Sequence, residues 1–404
     1  MNILFIDTAF PMPDRSSADL RMFTIVELLA YSGHKCYYGV INYHSWSQKI
    51  SETDLLYYQT SLENLGISVY KQNLDIELLN HKFDAIYFKY FYSAENIINH
   101  IRLLQPSARI IIDSVDIVYA RLFAKAKLEN NSDYYLEAEK IKKRELATYS
   151  KSDLVVTITP EDTDTLTKAT PNVSTFIIPN IHEIHAFETE KTPFPSLIFI
   201  GVFSHEPNVD AVLYFYRNVW PTIVQDHPNC HWLIVGGSPP LEIQALAGSS
   251  ISVTGYVPET LPYLKKSWIS VAPLRFGAGM KGKVGEAMAA GIPVVTTDFG
   301  AQGLEIINGQ HLIIVENDED YATQINNLIL DKEKRRYIGN QGLEFIKTNY
   351  SKEAVSIILN DFTKTIKNLP THRFSAKSRL YIIYTKLSLW ISRNITWRIN
   401  KANP

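Results

Sequence analysis

Short apolar stretches alternate with longer amphipathic ones along almost the whole chain. The apolar stretches are rich in β-branched and aromatic residues and nearly unbroken, which is typical of strands buried on both faces of a sheet. They predict strands at 2–7, 35–41, 67–71, 85–90, 109–113, 154–159 and 175–180, and again at 197–202, 231–237, 251–257, 269–274, 293–297 and 311–315. Most connections are long enough for helices, so we expect parallel sheets covered by helices.

A polar stretch with two prolines, residues 182–196, interrupts this pattern and predicts an interdomain linker. We therefore expect an α/β protein with two doubly wound Rossmann-like domains, residues 1–181 and 197–350, that face each other across a cleft. A helix at 351–370 would cross back to the first domain, and a basic helical tail would follow at 371–404. Ligands of such sheets bind at the carboxyl ends of the strands, which predicts a site in the cleft.

The composition is that of an ordinary globular protein: 404 residues, 46% hydrophobic, 20% charged, with a net charge of -2. This balance gives no indication of nucleic-acid binding. Cys36 and Cys230 lie far apart, and the N-terminus carries neither a secretory signal nor a membrane-spanning run, so we expect free thiols in a cytoplasmic protein. His182 and His185 lie three residues apart in the linker, where we expect solvated side chains rather than metal ligands.

A glycine-rich segment stands between a predicted strand and a predicted helix at 280–290. Gly277, Gly279 and Gly282 form a G-x-G-x-x-G, which leaves little side-chain bulk over the backbone amides. The unpaired N–H groups and positive dipole end of the helix meet this loop, which favours a bound phosphate or diphosphate. Lys281 and Lys283 add positive charge that the dipole disfavours unless an anion binds.

The helix at 280–290 also has two distinct faces. Its predicted buried stripe consists of Met280, Val284, Ala287 and Met288. Glu286 lies on a different face, where its carboxylate can accept hydrogen bonds from the vicinal hydroxyls of a ribose. The alternative is that Glu286 pairs with Lys283 across one turn, which contributes only a few tenths of a kcal/mol.

The same glycines, with Asp298 at the end of the next strand, also fit the fingerprint of an NAD-dependent oxidoreductase. That fingerprint normally follows the first strand of its domain, whereas four predicted strands of the second domain precede it here. An oxidoreductase is therefore one alternative function.

The stretch 275–304, RFGAGMKGKVGEAMAAGIPVVTTDFGAQGL, resembles the nucleotide-sugar motif of the family 4 glycosyltransferases (glycosyl transferases group 1), which are retaining enzymes of the GT-B fold. FIGVFSHEPNVDAVLYFYRNVWPTI, HWLIVGGSPP and VTGYVPETLPYL resemble further parts of the same donor domain, in the family's order. The resemblance spans most of 197–304 and is weaker in the first half. It implies a hexosyltransferase-like enzyme with a UDP-, GDP- or dTDP-sugar donor, and no residue cluster indicates a metal or other cofactor.

The resemblance also implies roles for individual residues. Glu286 corresponds to the last acid of the family's E-x7-E motif, which holds the donor ribose, and Lys281 and Lys283 would neutralise the leaving diphosphate. The other implied donor-binding residues are Gly201, Phe203, His205 and Asn208 under the phosphates and sugar, Tyr256 and Val257 beside the base, and Arg275, Gly277, Ala278, Gly279, Met280, Ala301, Gly303 and Leu304 around the phosphates and transferred sugar.

One position departs from the family's pattern. Ala278 occupies the place of the first acid of E-x7-E, a residue that touches the transferred sugar in the family. This puts the identity of the sugar in doubt and leaves a second alternative, a non-catalytic GT-B scaffold that recruits partners to a membrane.

The N-terminal half fits an acceptor domain. AFPMPDRSSADLRMFTIVELLAYSGHK, after the first strand, resembles the family's loop and helix, so Asp14, Arg15, Ser16, Ser17 and Arg21 would face the acceptor. The alternative for Asp14 and Ser17 is that they cap the following helix.

Two acids, Asp113 and Asp116, stand at the carboxyl end of a predicted strand, with Arg121 shortly after them. Either acid could orient an acceptor hydroxyl or act as a catalytic base, with Arg121 as an acceptor contact. The alternative is a buried ion pair with Arg121.

The tail at 371–404 carries basic residues but no acidic one, interleaved with leucine, isoleucine, tyrosine and tryptophan. Such a helix suits the headgroup region of an anionic leaflet; the alternative is a helix packed on the body with its basic residues in solvent. Together with the family's habits, the tail predicts a peripheral enzyme on the inner face of the plasma membrane. Its acceptor would be a glycan or a lipid-linked glycan, in the synthesis of a surface polysaccharide such as lipopolysaccharide, O-antigen or capsule.

Overall fold

The computed structural model describes residues 1–71, 73–185, 191–276, 279–371 and 375–402, with side chains up to residue 391. Within these ranges the strands form two parallel sheets, with strand orders β3-β2-β1-β4-β5-β6-β7 and β10-β9-β8-β11-β12-β13. The strands are β1 (Asn2–Asp7), β2 (Lys35–Val40), β3 (Ser68–Tyr70), β4 (Ala85–Lys89), β5 (Arg109–Asp113), β6 (Leu154–Thr157), β7 (Thr175–Ile177), β8 (Ser196–Ile200), β9 (His231–Val235), β10 (Ile251–Val253), β11 (Ile269–Ala272), β12 (Val294–Thr297) and β13 (Ile313–Val315).

Helices connect nearly all of these strands. In the first half they are α1 (Ser17–Tyr31), α2 (Tyr43–Ser47), α3 (Glu52–Asn64), α4 (Leu74–Asn80), α5 (Phe91–Ala94), α6 (Ile98–Leu104), α7 (Val118–Glu129), α8 (Ser132–Tyr149) and α9 (Pro160–Ala169). In the second half they are α10 (Glu206–Asn218), α11 (Trp220–Asp226), α12 (Leu241–Gln244), α13 (Leu261–Lys266), α14 (Gly282–Ala289), α15 (Asp298–Ala301), α16 (Asp318–Leu330), α17 (Lys332–Tyr350), α18 (Lys352–Asn368) and α19 (Ala376–Ala402).

Each predicted strand is present, which confirms the predicted fold class. Several are shorter than the apolar run that predicted them, because the run continues past the point where the chain leaves the sheet. The run 251–257, for example, pairs only to Val253, and Gly255 then turns the chain with a φ of 71°. The near-continuous burial of β1, β4, β5 and β6 reflects helices on both faces of the sheet.

The register of the first sheet places polar residues side by side at its carboxyl edge. Ile6 pairs with Phe88 and Lys89 pairs with Asp113, so Asp7, Lys89 and Asp113 end three adjacent strands. The short loops that follow these strands lead to the N-terminal ends of helices, where unpaired backbone N–H groups collect. This edge faces the second domain and forms one wall of the cleft.

The last two helices pack on the first domain. Val355, Leu359, Phe362 and Ile366 of α18 are buried in the core that contains Ile3, Phe5 and Tyr87, and Lys352 pairs with Glu27 of α1 at 2.9 Å. Helix α19 packs against α6 and α4. In the described part of the chain, each helix is too short or too polar to cross a bilayer.

Candidate functional site

The N-terminal end of α14 lies in the cleft between the domains. A Cβ on Gly282 would lie 2.5 Å from Cβ of Ser17, so the first turns of α14 and α1 meet across the cleft. Gly279 has a φ of 66° and lies against the first domain, where a Cβ would be 3.6 Å from the Val115 carbonyl. Two helix N-termini therefore meet at one place, which favours an anion there. Gly277 and Ala278 lie outside the described residues.

Lys281, the N-cap of α14, is partly buried. Its ammonium group donates to the carbonyl of Gly279. Burial lowers the pKa of Lys281 to about 8, although the carboxylates of Asp162 and Asp116 in the first domain oppose the shift. These acids show that Lys281 faces the cleft.

Lys283 is held deeper in the second domain. Its ammonium group donates to Oδ1 of Asn208 and lies 4.7 Å from the centre of the Phe199 ring. Asn208 in turn donates to the carbonyl of Val202 at 2.7 Å, so its orientation is fixed. Burial, and secondarily the charge of Lys281, lowers the pKa of Lys283 to about 7. Asn208 is thus a donor-binding candidate that acts through Lys283.

Glu286 lies one turn further along α14 and is partly buried. Its Oε1 accepts a hydrogen bond from the hydroxyl of Thr260. Burial raises the pKa of Glu286, while Thr260 and the charge of Lys283 lower it. Since Lys283 donates to Asn208, the simple pair across one turn does not account for the position of Glu286, and its carboxylate keeps capacity for further hydrogen bonds.

Two glycines, directly after β8 and β9, allow close backbone packing beneath this site. A Cβ on Gly201 would lie 2.8 Å from Nδ2 of Asn208, and one on Gly236 would overlap the carbonyl of Gly201. His205 is exposed at the N-cap of α10. Desolvation lowers its pKa, and so do the charges of Lys283, Arg121 and Lys281. Three positively charged side chains therefore lie near His205.

Tyr256 connects the two domains. Its hydroxyl donates to Oδ2 of Asp14 at 2.6 Å, and the Arg15 guanidinium lies 5.4 Å from the centre of its ring. Asp14 also accepts from the hydroxyl of Tyr58 at 2.8 Å. Tyr256 is half-exposed, and Val257 beside it is partly buried.

Other predicted donor-binding residues are buried or already paired within the protein. Arg275 forms an ion pair with Asp210 of α10 and lies 4.8 Å from the centre of the Tyr214 ring, so its charge is already neutralised. Phe203 is buried against Phe199, with ring centres 6.2 Å apart. Met280 is buried and accepts a hydrogen bond from Asn180 at 3.2 Å. Ala301 and Leu304 are buried as well, and a Cβ on Gly303 would overlap Thr159 of the first domain.

The structure corrects the predicted roles of Asp113 as a catalytic residue and of Arg21 as an acceptor contact. They form a buried ion pair at 2.5 Å, with exposures of 0% and 1%. Arg21 also donates to the carbonyls of Ile178 and Pro179, and Asp113 accepts from the hydroxyl of Tyr87. Both side chains are fully used inside the first domain, so neither can contact an acceptor or act as a base.

Asp116 and Arg121 behave differently. They pair at 2.8 Å and remain partly exposed. The predicted pair with Arg121 is therefore present for Asp116, and this is the acid of the two that stays within reach of the cleft. The difference arises after Asp113, where Val115 turns the chain with a φ of 60°.

Two further predictions are corrected: the residue that caps α1 and the exposure of His182 in the linker. Ser16 is the N-cap, because its side chain accepts from the backbone N–H of Asp19 at 3.1 Å; Asp14 and Ser17 do not cap this helix. His182 is buried, not solvated, and packs on Gly285 of α14. Its burial lowers its pKa to about 4.

Sequence reasoning missed several residues near the site. Asp162 at the start of α9 lies beside Gly279. Lys89 forms buried ion pairs with Asp7 and Asp19 beneath the first-domain wall of the cleft. Asp7 and Lys89 are the last residues of β1 and β4. This position was the available signal, since polar residues at the carboxyl ends of parallel strands collect at one edge.

Among the described residues, no group of three or more His, Cys, Asp or Glu side chains could hold a metal ion. The glycine-rich segment follows β11, the fourth strand of its domain, and its helix meets the opposite domain. A dinucleotide fingerprint instead follows the first strand, so this geometry disfavours the oxidoreductase alternative.

Comparison with known proteins supports a glycosyltransferase rather than an oxidoreductase. Residues 194–331 match the family model described as glycosyl transferases group 1. A relative, an uncharacterized 44.6 kDa protein in the cps region of Klebsiella pneumoniae, is 23% identical over 398 residues, covering 89% of this chain and 99% of the relative.

Solved structures share the fold. Sucrose-phosphate synthase from Thermosynechococcus elongatus aligns with a TM-score of 0.67 and 15% identity, over 91% of this chain and 99% of that chain. Anabaena Alr3699/HepE in complex with UDP-glucose aligns with a TM-score of 0.64 and 14% identity, over 90% of this chain and 100% of that chain. The fold and the family match together support a glycosyltransferase of the GT-B fold.

Proposed function

We propose that this protein is a retaining glycosyltransferase of family 4 that transfers a sugar from a UDP-, GDP- or dTDP-sugar to a glycan or lipid-linked acceptor. The match of residues 194–331 supports the donor domain. The UDP-glucose complex of the HepE structure, which shares the fold, supports a nucleotide-sugar donor.

One observation carries the proposal. Two partly buried ammonium groups, Lys281 at the cleft and Lys283 deeper in the second domain, lie at the N-terminus of α14, and the N-terminus of α1 faces this end of the helix. Burying lysines at the positive end of a helix dipole is unfavourable in the unliganded protein. A bound diphosphate offsets both the burial of the lysines and their repulsion by the helix dipole, because its negative charge pairs with the ammonium groups and with the N-terminus of the helix.

The proposed reaction uses these groups as follows. The lysines and the amides of α14 stabilise the negative charge that develops on the departing nucleoside diphosphate, which is the main electrostatic contribution. Glu286 accepts hydrogen bonds from the ribose hydroxyls and fixes the donor. Contact between the domains excludes water. The leaving diphosphate takes the proton of the acceptor hydroxyl, which attacks on the same face of the sugar, so configuration is retained.

Calorimetric titration of the full chain with UDP, GDP, dTDP and NAD tests the donor site. We expect one nucleoside diphosphate to bind, and Lys281→Ala and Lys283→Ala to weaken it at least about tenfold, as expected for a lost charge-assisted hydrogen bond. Lys332→Ala, on the exposed surface of the same domain, is the matched control. Binding of NAD alone would contradict the proposal.

Sugar transfer, or slow hydrolysis of the nucleotide-sugar, distinguishes an enzyme from a scaffold. We expect the wild-type protein to turn over the donor and Lys281→Ala to lose this activity. Since two lysines supply the positive charge, activity should also survive excess EDTA. Tight binding of a nucleotide-sugar without any turnover would favour the non-catalytic alternative.

We further propose that the acceptor is lipid-linked, in surface-polysaccharide synthesis. The relative from the cps region supports this pathway class. Helix α19 supports membrane contact, because one face packs on the first domain while the opposite face is apolar and exposed. Tyr381 accounts for part of the packed face, with its hydroxyl 2.9 Å from Nδ1 of His100. The exposed stripe consists of Leu380, Ile383, Tyr384, Leu387, Trp390 and Ile391.

The spacing and the charges of α19 suit an anionic leaflet. The members of the stripe follow helical periodicity, so they share one face. Exposed basic residues flank this face, namely Lys377, Arg379 and Lys386. An apolar stripe with tryptophan and tyrosine beside lysine and arginine inserts shallowly among anionic headgroups.

Flotation with vesicles of phosphatidylglycerol and phosphatidylcholine tests this surface. We expect binding to vesicles that contain phosphatidylglycerol, weaker binding at high salt, and loss of binding in Leu387→Asp/Trp390→Asp. The same change at two exposed leucines outside the tail, Leu241 and Leu330, is the control. Equal vesicle binding by both double variants would contradict a membrane role for α19.

A further inference from the structure

A buried carboxylate at the domain junction has a side-chain hydrogen bond with Thr159 but leaves one oxygen without a partner. Asp162 lies at the start of α9, directly after β6, and is 6% exposed. Its Oδ2 has no hydrogen-bond partner in the described part of the chain. The backbone N–H of Asp162 donates to the side chain of the N-cap Thr159 at 3.0 Å, which fixes the position of the residue.

The unpartnered oxygen faces the loops of the second domain. Oδ2 of Asp162 lies 3.9 Å from the point where a Cβ on Gly279 would be. Thr159, one turn earlier, fills the space beside Gly303. Asp162 also interacts electrostatically with Lys281 and Asp116. The carboxylate therefore lies where the first domain touches both loops that would surround a transferred sugar.

The energetic cost of this arrangement indicates a ligand. A buried polar atom without a partner destabilises the folded state by about 1–3 kcal/mol, and more if it is charged. Burial raises the pKa of Asp162 to about 6, which reflects that cost. A carboxylate oxygen accepts hydrogen bonds from N–H and O–H donors, and sugars are rich in hydroxyls that can donate one.

We propose that Asp162 is a substrate-binding carboxylate, which accepts a hydrogen bond from a sugar hydroxyl at the junction of the two domains. This inference rests on the proposed function and adds a residue from the first domain to it. It also bears on position 278, which is an alanine in this chain. The acid that this loop lacks is then supplied next to Gly279, from the opposite side of the cleft.

The test compares Asp162→Asn with Asp164→Asn, the same change on the exposed side of α9. Calorimetry measures the binding of UDP and UDP-glucose, and of GDP and GDP-mannose, and steady-state assays measure the KM of the acceptor. We expect Asp162→Asn to leave the Kd of the nucleoside diphosphate within about twofold. Either the Kd of the nucleotide-sugar or the KM of the acceptor should rise about tenfold or more, as expected for the loss of a hydrogen bond to a charged group.

The arms of this experiment identify which sugar Asp162 contacts. A hydroxyl of the donor sugar is indicated if the nucleotide-sugar loses affinity while the nucleoside diphosphate does not. A hydroxyl of the acceptor is indicated if both donors bind normally and the KM of the acceptor rises. Thermal unfolding gives an independent readout: Asp162→Asn should be at least as stable as the wild type, because the change removes a buried charge while the amide can keep the contact with Thr159.

Three results would overturn the inference. Asp162→Asn would behave like Asp164→Asn in every assay, or it would weaken the nucleoside diphosphate as much as the nucleotide-sugar, or it would lower the melting temperature as a structural residue does. Failure of the proposed function looks different, since the wild-type protein itself would then bind none of UDP, GDP and dTDP, and both claims would fall together.

Discussion

Lys281 and Lys283 differ from ordinary surface lysines because both are partly buried beside the cleft and have lowered pKa values. A lysine is charged only below its pKa, so their ability to hold a diphosphate depends on pH near neutrality. Lys283 is the more sensitive of the two, because its pKa is about 7 while that of Lys281 is about 8.

We therefore predict that nucleoside diphosphate binding weakens as the pH rises. Between about pH 7 and pH 9 the unliganded lysines lose their protons, and the Kd should increase about tenfold or more because binding must restore them. Lys283→Arg should flatten this dependence, since arginine stays charged. Titration calorimetry across this range measures the effect, and a constant Kd in the wild-type protein would contradict it.

The correction of Asp113 gives a second prediction. Because Asp113 and Arg21 form a buried pair, Arg21→Met should destabilise the first domain by about 3–5 kcal/mol, the usual cost of leaving one buried charge unpaired. Asp116→Asn should change stability little, because Asp116 is partly exposed. Urea unfolding followed by circular dichroism measures both. An Arg21→Met variant as stable as the wild type would show that the pair is not structural.

Glycine, lysine and glutamate at these spacings led to the prediction that α14 carries the donor-binding residues, and Lys281 and Lys283 do lie at the N-terminal end of this helix. The sequence did not distinguish Asp113 from Asp116, since both follow one strand. The distinction depends on Arg21, which is distant in sequence, and on the turn at Val115. Asp162 was missed for a related reason: next to a helix cap, it looks like an ordinary first-turn acid.

At the scale of elements, the linker and α14 are fastened together. Asn180, just before the linker, donates to the carbonyl of Met280, just before α14. His182 packs on Gly285, and the backbone N–H of His185 donates to the carbonyl of Ala289 at 3.2 Å. Successive positions at the start of the linker therefore contact successive positions along α14. A movement of the domains that shifts the linker should be transmitted to α14.

This contact predicts a sensitive glycine. A Cβ on Gly285 would lie 2.6 Å from Cε1 of His182, so Gly285→Ala should cost about 1–3 kcal/mol through overpacking and should displace α14. His182→Ala in the same chain should restore part of the loss. Gly248→Ala is the control, because nothing lies within 4 Å of that Cβ. Melting temperatures and the Kd of the nucleoside diphosphate provide the readouts, and equal values for both single variants would refute the contact.

The apolar periodicity predicted all the strands and the buried stripe of α14, because both depend on local sequence. The burial of His182 could not be predicted in this way. Polar linkers are usually solvated, and only the three-dimensional path of the linker along α14 removes His182 from water.

At the scale of the whole molecule, α18 belongs to the first domain although it follows the second in sequence. Its four buried apolar residues each contribute about 1.5–3 kcal/mol, a sum comparable with the whole stability of about 5–15 kcal/mol of a typical domain. The core of the first domain therefore depends on a helix that follows the second domain in sequence.

A pair of truncations tests this dependence. A chain that ends at Ser351 should fail to fold its first domain, because the core around Ile3 and Phe5 loses its cover. A chain that ends at Thr371 keeps α18, lacks only the tail, and should fold and bind nucleotide. Soluble yield and circular dichroism measure the outcome. A folded, stable chain ending at Ser351 would show that α18 is dispensable.

The domains themselves touch through Tyr256 and Asp14, through Lys125 and Glu206 at 2.7 Å, and through the loops near Lys281. The central claim is that a nucleoside diphosphate lies among these contacts. A crystal structure of the full chain with the nucleoside diphosphate that binds best tests it most directly. The claim predicts phosphate oxygens at about 2.7–3.2 Å from the ammonium groups of Lys281 and Lys283, with the ribose hydroxyls on Glu286. A nucleotide bound elsewhere, or phosphates that contact neither lysine, would contradict it.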